Sequence, residues 1–191
     1  MYVLVWMYND LGGSEEHWII RNALNAVGYV WCSVGIVPVV RRGCGGEEGL
    51  SRTGWVWCGV VCGGIASTMQ VQDLRDQEGD RSVGRETMPL VFGDAAARWS
   101  IVGAMVGWSC VCCGFWIVGW EVWVTEGLII GVIVWRLLWM RERVADALTY
   151  KLWGLWLSSL YVLPLCHDSS LLGLLWGVDT VYKPPTQEFD K

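Results

Sequence analysis

Charge is what this chain has least of. Lysine, arginine, aspartate and glutamate make up 17% of its 191 residues, where a soluble domain carries about a quarter. The charge that is present comes in short blocks, and the stretches between them are almost free of it. With 53% hydrophobic residues and a mean hydropathy of +0.37, that patterning excludes an ordinary soluble globule. It points to a chain that crosses a membrane several times and has the lipid bilayer as a partner. A basic surface is also missing: the net charge is −5, so nucleic acid is not an expected partner. Residues 1–8 have no basic flank and meet Asn9-Asp10 too early for a secretory leader. The two histidines, His17 and His167, make no ligand set. The eight cysteines do not supply one either. Cys58 and Cys62, like Cys110, Cys112 and Cys113, lack zinc-site spacing and lie in apolar runs, so they read as small buried residues.

What the chain has in excess is tryptophan, fifteen in all. Trp18, Trp55, Trp99, Trp120 and Trp139 fall near the ends of apolar runs, as interfacial anchors do. Trp31, Trp108 and Trp116 lie mid-run, where packing and cavity lining are both open readings. The apolar runs predict spans over residues 23–40, 54–70, 99–120, 122–140 and 152–165. Residues 1–8 and 169–178 are apolar but too short to cross. Polar stretches separate the spans: 9–25, a glycine-rich loop at 41–53, an acid-and-arginine block at 73–94, and a charged loop at 141–151. Residues 179–191 form a polar tail, expected to fray. The predicted fold is all-α, a polytopic transmembrane helical bundle with about five visible spans. Glu126 and Arg136 fall inside the fourth span, where they mark either function or a shorter crossing. Asp146 and Lys151 read as a solvated helix end, and His167-Asp168 as a turn.

The block after the second span is the most specific signal: Gln72-Asp73-Leu74-Arg75-Asp76-Gln77-Glu78-Gly79-Asp80-Arg81. Asp73, Asp76 and Asp80 are spaced i, i+3 and i+7, which on a helix brings them to one face. Three carboxylates so placed repel one another unless cations sit between them. Arg75, Arg81 and Arg85 beside them call for anions. Clustered carboxylates and arginines at a membrane surface suggest Mg²⁺ holding a phosphate-bearing, lipid-like substrate. A solvated loop between two helices is the plainer alternative.

Topology gives an internal check. Two spans separate the polar block at Asn9 from the one at Asp73, so both emerge on the same side. Two more spans bring residues 141–151 back to it. That side carries Arg21, Arg75, Arg81, Arg85, Arg98, Arg141, Arg143 and Lys151, against Arg41, Arg42 and Arg52 on the other. The positive-inside rule places the acidic blocks on the cytoplasmic face. The organelle stays open, with the endoplasmic reticulum among the candidates, as does the oligomeric state.

The earlier block, Asn9-Asp10-Leu11-Gly12-Gly13-Ser14-Glu15-Glu16-His17, is weaker alone. It serves equally as a helix-capping turn. Paired with the Asp73 block it resembles the UbiA superfamily of intramembrane prenyltransferases and related terpene cyclases, with wording closest to fungal-type members. The resemblance rests on order: an Asn-Asp motif ending a helix, two spans, D-x-x-D-x-x-x-D at Asp73, Asp76 and Asp80, then Gly84-Arg85-Glu86-Thr87-Met88-Pro89 leading into the next helix. It is clearest from Asn9 to Arg98.

That resemblance implies a helical bundle around a central cavity, with the two motifs binding an isoprenyl diphosphate through Mg²⁺. Loss of diphosphate leaves an allylic cation. An acceptor attacks it in the transferases, and its own double bonds do in the cyclases. By position, Asp73, Asp76 and Asp80 are the catalytic residues. Asn9, Asp10 and Glu16 join them as metal ligands, and Asn9, Arg75 and Arg81 are diphosphate contacts. The expected function is prenyl transfer to an acceptor. A terpene cyclase, and a truncated non-catalytic membrane protein, are the alternatives. Two departures bear on this choice. Where the family's first motif reads N-x-x-x-D-x-x-x-D, this chain has Gly13 and His17 at the aspartate positions, with Asp10, Glu15 and Glu16 as substitutes. The chain also begins within what resembles the family's second helix. The expected domain is therefore residues 1–191 as one such unit, lacking the first helix and most of the second.

Overall fold

The computed structural model describes residues 2–12, 17–43 and 50–167. Among these residues all regular structure is helical. The elements are α1 (Tyr2–Asn9), α2 (Trp18–Gly43), α3 (Arg52–Thr68), a 3₁₀ segment (Met69–Arg75), α4 (Gln77–Ser82), α5 (Met88–Phe92), α6 (Asp94–Trp116), α7 (Trp120–Trp139) and α8 (Arg143–His167). The five predicted spans correspond to α2, α3, α6, α7 and α8. Among the described residues, three stretches are long and apolar enough to cross a bilayer: Arg52–Arg75, Asp94–Trp116 and Trp120–Trp139. Helices α2 and α8 reach spanning length, with 26 and 25 residues, but carry more polar residues.

Helix boundaries differ from the hydropathy limits wherever a charge finds a partner inside the bundle. Helix α2 starts at Trp18 and takes in Arg21 and Asn22, both buried. Helix α8 starts at Arg143, so the expected charged loop at 141–151 is mostly helix. Arg98, expected in a polar loop, lies within α6 and is 1% exposed. Asp146, expected at a solvated helix end, is 2% exposed. Hydropathy misplaces these residues because it counts each charge as if it faced water alone.

The core is a continuous cluster that includes Ile65, Met69, Ile101, Met105, Ile133, Leu137, Trp153 and Trp156. In a bilayer, apolar contact alone does not drive helices together, so close packing and buried hydrogen bonds must contribute. Both are visible. Trp153 donates Nε1–H to Thr68 Oγ1 at 2.9 Å, Trp156 to Ser109 Oγ at 2.7 Å, and Trp108 to Ser67 Oγ at 2.8 Å. Trp108 lies against the glycines of α3, where a Cβ added at Gly63 would stand 2.5 Å from its ring. Gly63→Ala is therefore expected to destabilise the α3–α6 contact by about 1–3 kcal/mol, read as a lower unfolding midpoint in detergent. Gly59→Ala, where the same test finds open space, serves as the control.

The tryptophans divide mostly as their positions suggest, with Trp31 the departure. Trp55, Trp99, Trp120 and Trp139 are exposed at or near helix ends. Trp116 lines an apolar cavity of about 590 Å³ with Trp57, Val61 and Tyr161. Trp31 is exposed. Cys58, Cys112 and Cys113 are buried, as read from the sequence; Cys62 is half-buried, and Cys110 is exposed, against that reading, because it falls on the outward face of α6. Residues 169–191, including the expected polar tail, lie outside the described residues.

Candidate functional site

Helix α3 is anchored at its start by Ser51, whose hydroxyl accepts from the Gly54 N–H at 3.1 Å. Toward its end, Ser67 and Thr68 donate to the carbonyls of Gly63 and Gly64 at 2.8 and 2.7 Å. Past Thr68 the chain tightens into the 3₁₀ segment. Gln70 steadies this turn, donating to the Ser67 carbonyl at 2.7 Å and accepting from Asn22 of α2 at 3.2 Å. At Asp76 (φ −121°, ψ 23°) helical geometry breaks, and α4 begins one residue later.

The three aspartates therefore do not lie on one regular helix, as their spacing predicted. Asp73 is in the 3₁₀ segment, Asp76 is at the break and Asp80 is in α4. The break keeps them together nonetheless. All three line one small polar cleft of about 160 Å³, with Tyr8, Arg21, Gln72, Arg75 and Arg85. The fold thus brings together the last turn of α1, the start of α2 and the 73–85 segment. The junction between α7 and α8 joins them, through a 3.7 Å approach of Arg143 to Asp76. These are the polar blocks that topology assigned to one side.

Arginines compensate the carboxylates. The Arg21 guanidinium donates to Asp73 in a buried pair, both side chains 4% exposed. Arg85 donates to Asp80 at 3.3 Å. Asp76 is open to solvent, its side chain 53% exposed. Among the described residues, no three acidic, thiol or imidazole groups already stand in a metal-holding arrangement. The repulsion that the sequence assigned to metal ions is met here by guanidinium groups.

The remaining sequence-chosen residues fall in different places. Arg75 lines the cleft and lays its guanidinium over the Tyr150 ring, 4.9 Å from the centroid. Arg81 is exposed and is not in the lining, whereas Arg85 is. Asn9 ends α1 beside Tyr8, but its side chain is outside the description. Asp10 is exposed just beyond the helix, and Glu16 lies outside the described residues. Arg21 is the residue that sequence reasoning passed over. The sequence marks it only as a positive loop charge, because its partner is 52 residues away.

A multi-pass helical bundle with an acid-and-arginine cleft at one end is the class of protein these features define: an integral membrane protein with a charged pocket at the end of an apolar core. Residues 1–160 match the model of the UbiA prenyltransferase family. The chain belongs to that family, and the resemblance read from Asp73, Asp76 and Asp80 is borne out at that level. Among curated proteins it is similar to the somaliensene A/B synthase of Streptomyces somaliensis, 34% identical over 101 residues, covering 51% of this chain and 31% of that protein. The fumagillin beta-trans-bergamotene synthase of Aspergillus fumigatus is 29% identical over 119 residues, covering 60% and 38%. The polyprenyl transferase eriF of Hericium erinaceus is 55% identical over 42 residues, covering 22% and 15%. The chain thus spans less than two fifths of the length of each of these relatives. No solved structure matches it.

Proposed function

We propose that the cleft ionises an isoprenyl diphosphate with the help of Mg²⁺, and that the prenyl group then passes to an acceptor. The supporting observation is the cleft itself. Three aspartates and three arginines converge where a bundle of apolar helices ends, which suits a molecule with a charged head and a hydrocarbon tail. The donor chemistry fits a hard divalent cation, since every acidic group is a carboxylate. Asp73, Asp76 and Asp80 would hold the ion, which when bound would neutralise the diphosphate and make it a better leaving group.

The chain's own residues do the rest. Arg21, Arg75 and Arg85 supply guanidinium donors suited to phosphate oxygens. The C–O bond breaks with its electron pair leaving on the diphosphate, and an allylic cation remains. In transfer, a nucleophilic atom of the acceptor bonds to that carbon and loses a proton. The apolar bundle excludes water, which would otherwise capture the cation, and aromatic faces stabilise it. The acidic cleft is read as cytoplasmic, from the loop charges.

A second reading is cyclisation, in which the cation's own double bonds attack and a proton is lost to give a hydrocarbon. The names of the two relatives with the widest overlap favour it, since both are terpene synthases.

The test is a set of prenyl diphosphates given to the purified chain in detergent, with Mg²⁺ or with chelator, followed by pyrophosphate and product analysis. Mg²⁺-dependent pyrophosphate release is expected. Hydrocarbon formed without acceptor would replace transfer by cyclisation. No release from any prenyl diphosphate would return the chain to the non-catalytic reading.

A further inference from the structure

Four side chains outside the cleft form an unbroken hydrogen-bonded chain, buried at Asp146 and Arg98 and half-buried at Asp94 and Gln77, that ends between two of the cleft aspartates. Asp146, near the start of α8, accepts two parallel bonds from Arg98 of α6, at 2.8 and 2.7 Å. The same guanidinium donates to the Leu137 carbonyl of α7 at 3.1 Å and, through Nε, to Asp94 at 2.8 Å. The other oxygen of Asp94 accepts from the Gln77 amide at 2.9 Å. That amide also donates to the Leu74 carbonyl at 3.2 Å. Gln77 is the first residue of α4 and sits between Asp76 and Asp80.

The face of α8 that starts this chain touches the aspartate segment repeatedly. Arg143, Asp146, Tyr150 and Trp153 are spaced by three, four and three residues, so they share one side of the helix. Arg143 approaches Asp76, Tyr150 stacks under Arg75, and Trp153 bonds to Thr68 at the start of the 3₁₀ turn. The segment needs such support. It is a 3₁₀ turn, a break and a six-residue helix, and helices that short do not hold themselves.

We propose that Gln77, Asp94, Arg98 and Asp146 are a positioning relay that ties the segment bearing Asp76 and Asp80 to the cleft-end face of α8. The proposal rests on the reading of those aspartates as metal-holding groups. None of the four touches the reacting atoms. Gln77 is the last link, and it can be removed without touching an ion pair, because the Asp94–Arg98–Asp146 ion pairs remain intact. Groups one layer behind metal ligands typically change affinity by about 10–100-fold when lost.

The experiment uses Gln77→Leu in the full chain in detergent, with two readouts besides activity. Amide hydrogen exchange is followed across residues 77–82 and across α8 without metal, and Mn²⁺ binding is measured by paramagnetic resonance. Loss of the Gln77 bonds is expected to speed exchange in 77–82 about five- to tenfold. Exchange in α8 and the unfolding midpoint are expected to stay at wild-type values, and Mn²⁺ binding to weaken about tenfold. Unchanged exchange at 77–82 would overturn the relay. Faster exchange with undiminished Mn²⁺ binding would overturn its positioning of the aspartates. If the wild-type chain binds no Mn²⁺ while exchange still responds to Gln77→Leu, the relay stands as a tether and the metal reading of the cleft fails.

Discussion

Asp76→Asn is expected to lower Mg²⁺-dependent pyrophosphate release by at least about a hundredfold, with no change in the unfolding midpoint. The separation follows from where the side chain sits. Asp76 is 53% exposed, and its nearest counter-charge, Arg143, is 3.7 Å away and more exposed still. Exposed pairs of this kind contribute little to stability. Any loss of turnover must then come from the carboxylate's part in binding the diphosphate head. Asp73→Asn contrasts with it. Asp73 is buried against Arg21, so removing its charge leaves a guanidinium without a partner at 4% exposure. Activity and stability should fall together. Adding Arg21→Gln should recover stability but not activity, since the stranded charge is gone and the ligand is still missing. Full activity in Asp76→Asn would remove this residue from the site.

Arg98→Ala carries the largest expected effect on stability, about 3–5 kcal/mol. Arg98 and Asp146 are 1% and 2% exposed, so bulk solvent is shut out from the lost bonds. The substitution strands the Asp146 carboxylate in the interior, frees one carbonyl of α7, and opens a cavity among α6, α7 and α8. Asp146→Ala should cost a similar amount for the complementary reason. The double replacement Arg98→Met with Asp146→Leu should be far less destabilising than either single change, because an apolar pair leaves no buried charge unmatched. Unfolding in detergent of the two single variants and the double variant measures the coupling. Additive losses would mean that the two side chains do not act as a pair.

The sequence was most legible where composition and period suffice. Long charge-free runs predict five helices, and the described residues hold five long helices. The count of spans between Asn9, Asp73 and Arg141 placed three polar blocks on one side. The structure gathers Tyr8, Asp73 and Arg143 at one end of the bundle. Asp73, Asp76 and Asp80 were chosen for their spacing, and all three reach the cleft, though across a 3₁₀ turn and a break. Spacing reports which residues share a side. It does not report where a helix tightens, because that depends on which carbonyls Ser67, Thr68 and Gln70 capture. Glu126 was left between function and a span boundary. It is buried within α7, a helix that is long and apolar enough to cross a bilayer with Glu126 inside it.

What the sequence determined by itself is the class: a membrane-spanning helical bundle with an acidic motif at one end of its second span. Hydrophobic length and the repeat of a single acid type are local properties, and local properties survive in a linear reading. What only the tertiary structure decided is the partner of each charge. Arg21 closes on Asp73 from 52 residues away, and Arg98 reaches Asp146 across 48. No local pattern encodes those distances. Buried charges are fixed by whichever opposite charge the packing brings within reach, because in a low-dielectric interior an unmatched one is too costly to keep.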